Sequence, residues 1–156
     1  MLIRMTLAAA ALSLAYVGPV LSADSMSKDQ VKTEKQRIES DAKAAKAKCK
    51  DMKGNAKDVC MAEAKGHEKV SKAELEAKQK DTPKNRYDVV AAKADMEYNV
   101  AKEKCEDMKG KEEKACDKDA KAARDQTKKQ AKAEREAAEG KKERTADASR
   151  KAKDTK

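Results

Sequence analysis

Ala45-Lys46-Ala47-Lys48-Cys49-Lys50-Asp51-Met52-Lys53-Gly54 returns 56 residues later as Ala101-Lys102-Glu103-Lys104-Cys105-Glu106-Asp107-Met108-Lys109-Gly110. Beyond the first copy Cys60 matches Cys116, and Ala64-Lys65 matches Ala120-Lys121. Over positions 45 to 65, 11 of 21 residues are identical. Identity is cheap among Lys and Ala, but Cys, Met and Gly at matching offsets are not. The chain therefore contains two copies of one unit, and the organisation of that unit sets the fold.

Each copy reads as helix, tight turn, helix. Val31, Ile38, Ala42, Ala45, Cys49 and Met52 follow the 3–4 spacing of one helix face, and so do Tyr87, Val90, Ala94, Tyr98, Ala101, Cys105 and Met108. Gly54 and Gly110 suit the left-handed position that closes a helix, and Asn55 reads as the N-cap of the next. The second copy has Lys111 where the first has Asn55, so its turn is less well specified. Val59, Ala62, Gly66, Val70, Ala73 and Ala77 form a return stripe for the first unit, with Cys60 on its flank. Thr82-Pro83 reads as a cap followed by proline in the first helical turn. The spacing predicts helices near 25–53, 56–80, 83–109 and 111–138, that is, one hairpin over 24–80 and another over 81–139.

Composition agrees with helix and argues against a globular core. The chain has 156 residues with 43% charged, no Phe or Trp, and a net charge of +9. From Asp24 onward its large apolar side chains are one Leu, one Ile, six Val, five Met and two Tyr. Ala, Lys, Glu and Arg, which dominate the rest, are the best helix formers. The fold class expected is all-α: two tandem, extended, coiled-coil-like hairpins. After Cys116 no Val, Leu, Ile, Met or aromatic residue occurs, so the last forty residues are expected to be a solvated or frayed helix, and 140–156 a disordered basic tail. An enzyme pocket needs apolar walls and buried polar groups, and no phosphate loop, catalytic triad or C-x-x-C stands in the sequence. No catalytic residue and no cofactor are assigned.

Met1–Ala23 has an early Arg4, an apolar run from Met5 to Val17, then Gly18-Pro19 and the small-residue end Leu21-Ser22-Ala23. This is the arrangement of a cleaved secretory signal peptide, and it implies a periplasmic or secreted protein. An oxidising compartment turns four cysteines into two disulfides. Cys49 with Cys60 and Cys105 with Cys116 lie equally far from their turns, so local pairing is favoured. A nested pairing, Cys49–Cys116 with Cys60–Cys105, is the rival; the twin-Cys helical hairpins of mitochondrial proteins use it with nine-residue spacers, against ten here. Four thiolates with His67 are the metal alternative, weakened by spacers far longer than C-x-x-C.

The signal segment, the Lys/Ala/Glu-rich helices and the A-K-x-K-C-x-D-M-K-G…C units together resemble small exported proteobacterial proteins labelled TolA-like or cell-envelope biogenesis proteins. The resemblance implies envelope localisation, and the helical, disulfide-pinned organisation without a pocket is read as a structural, interaction or stress-related role without catalysis. The Lys excess offers a second reading, binding of envelope polyanions such as anionic lipid or lipopolysaccharide. Nucleic acid is disfavoured by the export signal and the lack of stacking aromatics. The narrow Ala-rich seams could pack within the chain or between chains as a homo-oligomer.

Overall fold

The computed structural model describes residues 26–154, with side chains through Lys151; the signal-like segment 1–23 lies outside the described residues. Four helices follow one another: α1 Lys28–Lys50, α2 Gly54–Gln79, α3 Pro83–Cys105 and α4 Lys111–Asp154. No strand occurs among the described residues. The all-α hairpin fold read from the sequence is the fold observed.

Local chemistry explains where the helices begin. Ser27 and Gln30 form a reciprocal capping box at α1: the Gln30 amide donates to Ser27 Oγ at 3.2 Å, and the Ser27 amide to Gln30 Oε1 at 2.8 Å. Thr82 Oγ1 accepts from the Asn85 amide at 3.0 Å, and Pro83 stands in the first turn of α3, where its missing N–H costs nothing. Gly54 and Gly110 take φ of +57° and +65°, the region that favours glycine. They do so at the start of the return helices, not at the end of α1 and α3, which close at Lys50 and Cys105. Met52 and Met108, expected on the buried seam, consequently fall in the turns and stand exposed.

Each helix packs only on its neighbours in sequence, α1 on α2, α2 on α3 and α3 on α4. The chain is thus an open row of antiparallel helices with α2 and α3 inside, and not a closed bundle. Two faces of α2 are therefore needed, and the sequence had shown only one. The stripe through Val59, Ala62, Gly66, Val70 and Ala77 does not return onto α1. Its members Ala62 and Gly66 line a groove with Met96 and Asn99 of α3. The face turned to α1 carries Cys60, Ala64, Glu68 and Ser71, which share grooves with Ile38, Ala42 and Ala45. Cys60 sits on the flank of the first stripe because it belongs to the second.

The buried apolar residues are Ile38, Ala42, Cys49, Ala64, Val70, Leu75, Ala94, Cys105 and Ala131. Three pairs of these are related by the repeat: Ile38 and Ala94, Cys49 and Cys105, Leu75 and Ala131. Small side chains allow close approach. At Gly66 an added Cβ would lie 2.1 Å from Met96 Cγ and 2.8 Å from its Cβ, so α2 and α3 meet at a distance only glycine permits.

The C-terminal part departs from expectation. Instead of fraying, α4 packs along α3 as far as Ala138, which shares a groove with Pro83 at the start of α3. The bulk in this interface comes from Tyr87, Val90 and Tyr98 of α3, so Ala131 and Ala138 suffice on α4. The helix then continues through Gly140 to Asp154, where disorder was expected. Strong helix formers such as Ala, Lys, Arg and Glu and the absence of proline carry it on.

Candidate functional site: the paired cysteine turns

The sulfurs of Cys49 and Cys60 lie 1.94 Å apart and those of Cys105 and Cys116 1.92 Å, with Cα separations of 5.6 and 5.7 Å. The local pairs are the ones brought together, and the nested arrangement is not formed. Each pair ties the last turn of one helix to the second turn of the next. Cys49 and Cys105 are each 1% exposed, while Cys60 and Cys116 are half-buried at the rim. In both turns the methionine amide donates back to the cysteine carbonyl, Met52 to Cys49 at 3.2 Å and Met108 to Cys105 at 2.9 Å.

The two turns lie at the same end of the row and are joined directly. Asn55 Nδ2 donates to the Glu103 carbonyl at 2.6 Å, linking the start of α2 to the last turn of α3. Asn55 was expected to cap α2; the residue in the cap position is Lys53, which makes no side-chain cap. The absence of Asn in the second copy now has a reason. Lys111 begins α4, and among the described residues no further helix lies beside it to receive such a bond.

Behind each cystine lies an ion bridge across the hairpin, with opposite polarity in the two copies. In the first, Glu68 on α2 accepts from Lys46 of α1 at 2.5 Å and from Lys72 at 2.6 Å. The two ammonium groups, Lys46 foremost, hold the Glu68 carboxyl at a pKa of about 2. In the second, the acid is Asp95 on α3, held by Lys128 of α4 at 3.0 Å with Arg124 at 3.9 Å. Arg124, the counterpart of Glu68, also lies over the Tyr98 ring at 4.3 Å. Tyr98 Oη donates to Asp117 Oδ1 at 3.3 Å, beside Cys116.

With each sulfur paired, the cysteines offer no thiolate to a metal. His67 is exposed and lines the groove containing Cys49 and Cys60. Among the described residues no group of three or more His, Cys, Asp or Glu could hold a metal ion. Nor is any helix among them long and apolar enough to cross a membrane. The depressions between the helices are open grooves lined by alanines and charged side chains. What the arrangement does chemically is close two hairpins covalently at one end. Sequence reasoning found all four cysteines and both glycines. It missed the Gly66–Met96 approach, the Asn55 link and the arginines over Tyr98 and Tyr87 (Arg135 lies 5.2 Å from the Tyr87 ring), because each needs a partner on another helix. No protein-family model matches the chain, and neither a curated protein nor a solved structure is similar to it.

Proposed function

We propose that the protein is a non-enzymatic, exported helical element of the cell envelope with a structural or interaction role. The observation carrying this reading is the covalent closure of both hairpins at matched positions where noncovalent contact is thin. Of the nine buried apolar residues among those described, only Ile38, Val70 and Leu75 are larger than cysteine. A row of helices so poor in apolar contact gains its persistence from cross-links, and cross-links of this kind endure in oxidising compartments. A row of helices charged at most of its exposed positions presents surface instead of a pocket.

The test is the mass of the protein isolated from the envelope fraction of its own host, before and after reduction, with peptide mapping. A chain beginning near Asp24, lighter than its reduced form by the hydrogens of two disulfides, with the two local pairs linked, supports the proposal. A chain retaining residues 1–23, or one recovered with free thiols and bound metal, overturns it.

A further inference from the structure

We propose that one side of α1 is a docking surface for a linear acidic polysaccharide, held by a row of lysines that the fold leaves without partners. Lys28, Lys32, Lys35, Glu39, Lys43, Lys46 and Lys50 are spaced four, three, four, four, three and four apart, so they form one stripe along the whole helix, about 33 Å long. Lys43, Lys46 and Lys50 share a groove with Met61 of α2, which places the stripe on one broad side of the row. Lys46 is committed to Glu68, whereas Lys28, Lys32, Lys35, Lys43 and Lys50 are exposed and form no ion pair among the described residues. The inference gives the interaction role proposed above a surface and a partner, and so rests on that reading. Binding by the purified chain does not depend on export, so either can fail alone.

The hairpin itself does not require this arrangement. Lysines one helical turn apart repel, and elsewhere the chain answers cations with acids. On the other side of α1, at the groove with Ala64, Arg37 meets Glu34 at 2.6 Å and Asp41 at 3.0 Å. The repeat supplies an internal control. The same register on α3 holds Lys84, Asp88, Ala91, Asp95, Asn99 and Lys102 and ends at Glu106. Every charge of that stripe is paired, Lys84 with Asp88, Lys102 with Glu106 and Asp95 with Lys128. Two lysines against three acids leave a net −1 there, while six lysines against one acid leave +5 on α1.

The stripe favours a chain over a flat surface or a duplex. Met61 also shares a groove with Asn99, so the α3 stripe lies on the same broad side. An anionic bilayer pressed against that side would meet the acids of α3, whereas a polymer laid along α1 meets lysines interrupted once, at Glu39. A helix already packed on α2 cannot enter the major groove of duplex DNA. No aromatic residue stands on α1 or α2 to stack the bases of a single strand. Lysine is a compact point charge on a flexible stem, which suits carboxylates strung along a sugar chain and needs no bidentate geometry. Such binding is Coulombic and weakens as salt rises.

The experiment measures binding of the disulfide-bonded full chain to polygalacturonate, with neutral dextran, duplex DNA and phosphatidylglycerol vesicles as parallel arms at one salt concentration. One variant carries K32Q, K35Q and K43Q; a second carries K118Q, K121Q and K129Q, three exposed lysines of α4. Expected are binding to polygalacturonate and not to dextran, a loss of roughly tenfold in the α1 variant with a flatter salt dependence, and a change of less than about twofold in the α4 variant. Glu39→Lys, which completes the stripe, should bind more tightly than the parent chain. Circular dichroism and intact mass establish that the hairpins and both disulfides persist in each variant. Four outcomes overturn the inference: no binding by the parent chain, equal losses in the α1 and α4 variants, no gain in Glu39→Lys, or tighter binding to DNA or to vesicles than to polygalacturonate.

Discussion

The first hairpin is filled by aliphatic side chains and the second by tyrosine rings, although both are built on one repeated phrase. Where the first has Ile38, Leu75 and Ala42, the second has Ala94, Ala131 and Tyr98. Two large residues have become alanine, while Val31 and Ala42 have become Tyr87 and Tyr98, so the bulk of the second seam is concentrated on α3. The ion bridge reverses with it: a carboxylate on α2 in one, cations on α4 in the other. Only the cystine is the same. The lesson is that the cross-link fixes the geometry of the hairpin, while packing around it can be redistributed.

The outer faces differ from the inner ones in the same instructive way. Val89, Ala92 and Met96 of α3 share the register that meets α2; their counterparts on α1 are Thr33, Gln36 and Ser40, all exposed. On α2 the inward series is Ala62, Gly66, Val70 and Ala73, and on α4 its counterparts are Lys118, Ala122, Gln126 and Lys129, again all exposed. Polar outer faces end a repeat array, and this row of two units ends accordingly.

The largest effect that can break the comparison is removal of a cystine. Replacing Cys49 and Cys60 by serine, or Cys105 and Cys116, should each cost about 3 kcal/mol in urea unfolding, since each closes a loop of about a dozen residues. Hydrogen exchange should then rise in α1 alone for the first variant and in α4 alone for the second; a rise across all four helices in either would show that the row is a single cooperative unit. Next in size is Gly66→Ala, which forces α2 from Met96 and should destabilise by about 2 kcal/mol despite the better helix propensity of alanine. The repeat-related Ala122, exposed on α4, should tolerate serine within about 0.5 kcal/mol, and equal costs at both sites would remove the distinction between inner and outer faces.

Asn55→Asp places a carboxylate against the Glu103 carbonyl and should cost about 1.5 kcal/mol by thermal denaturation, whereas Lys111→Asn should change little. The smallest effect is on pH. Glu68 has a folded pKa of about 2, below the ordinary carboxylate value of 4.5, so its contribution is fully present above pH 4.5 and fades as pH falls towards 2. Because Lys46 and Lys72 are 34% and 47% exposed, that contribution is about 1 kcal/mol. Acid titration of stability in Glu68→Gln should lack this part of the slope; an unchanged slope would remove Glu68 as its source.

Much of this was legible from residue order. The repeat, the four helices, the positive-φ glycines and the local cysteine pairs all depend on neighbours within about a dozen residues. The misreadings share a cause. Asn55 looks like a cap because its tertiary partner, Glu103, lies 48 residues away. The stripe of α2 was assigned to α1 because periodicity reveals a face without saying which helix it meets. The stretch after Cys116 looked unable to pack because the bulk it packs against is Tyr87 and Tyr98, on the preceding helix.

The sequence by itself determined that this chain is helical and doubled, with its cysteines near enough to their turns for local closure. Those properties follow from helix propensity, from period and from short loops, all of which act along the chain. Tertiary structure alone decided that the hairpins stand side by side in an open row, that α2 carries two working faces, and that Gly66 lets the two units approach closely at Met96. Lateral contact between helices depends on side-chain volume and on partners distant in sequence, and a one-dimensional pattern does not encode the pairing of such faces.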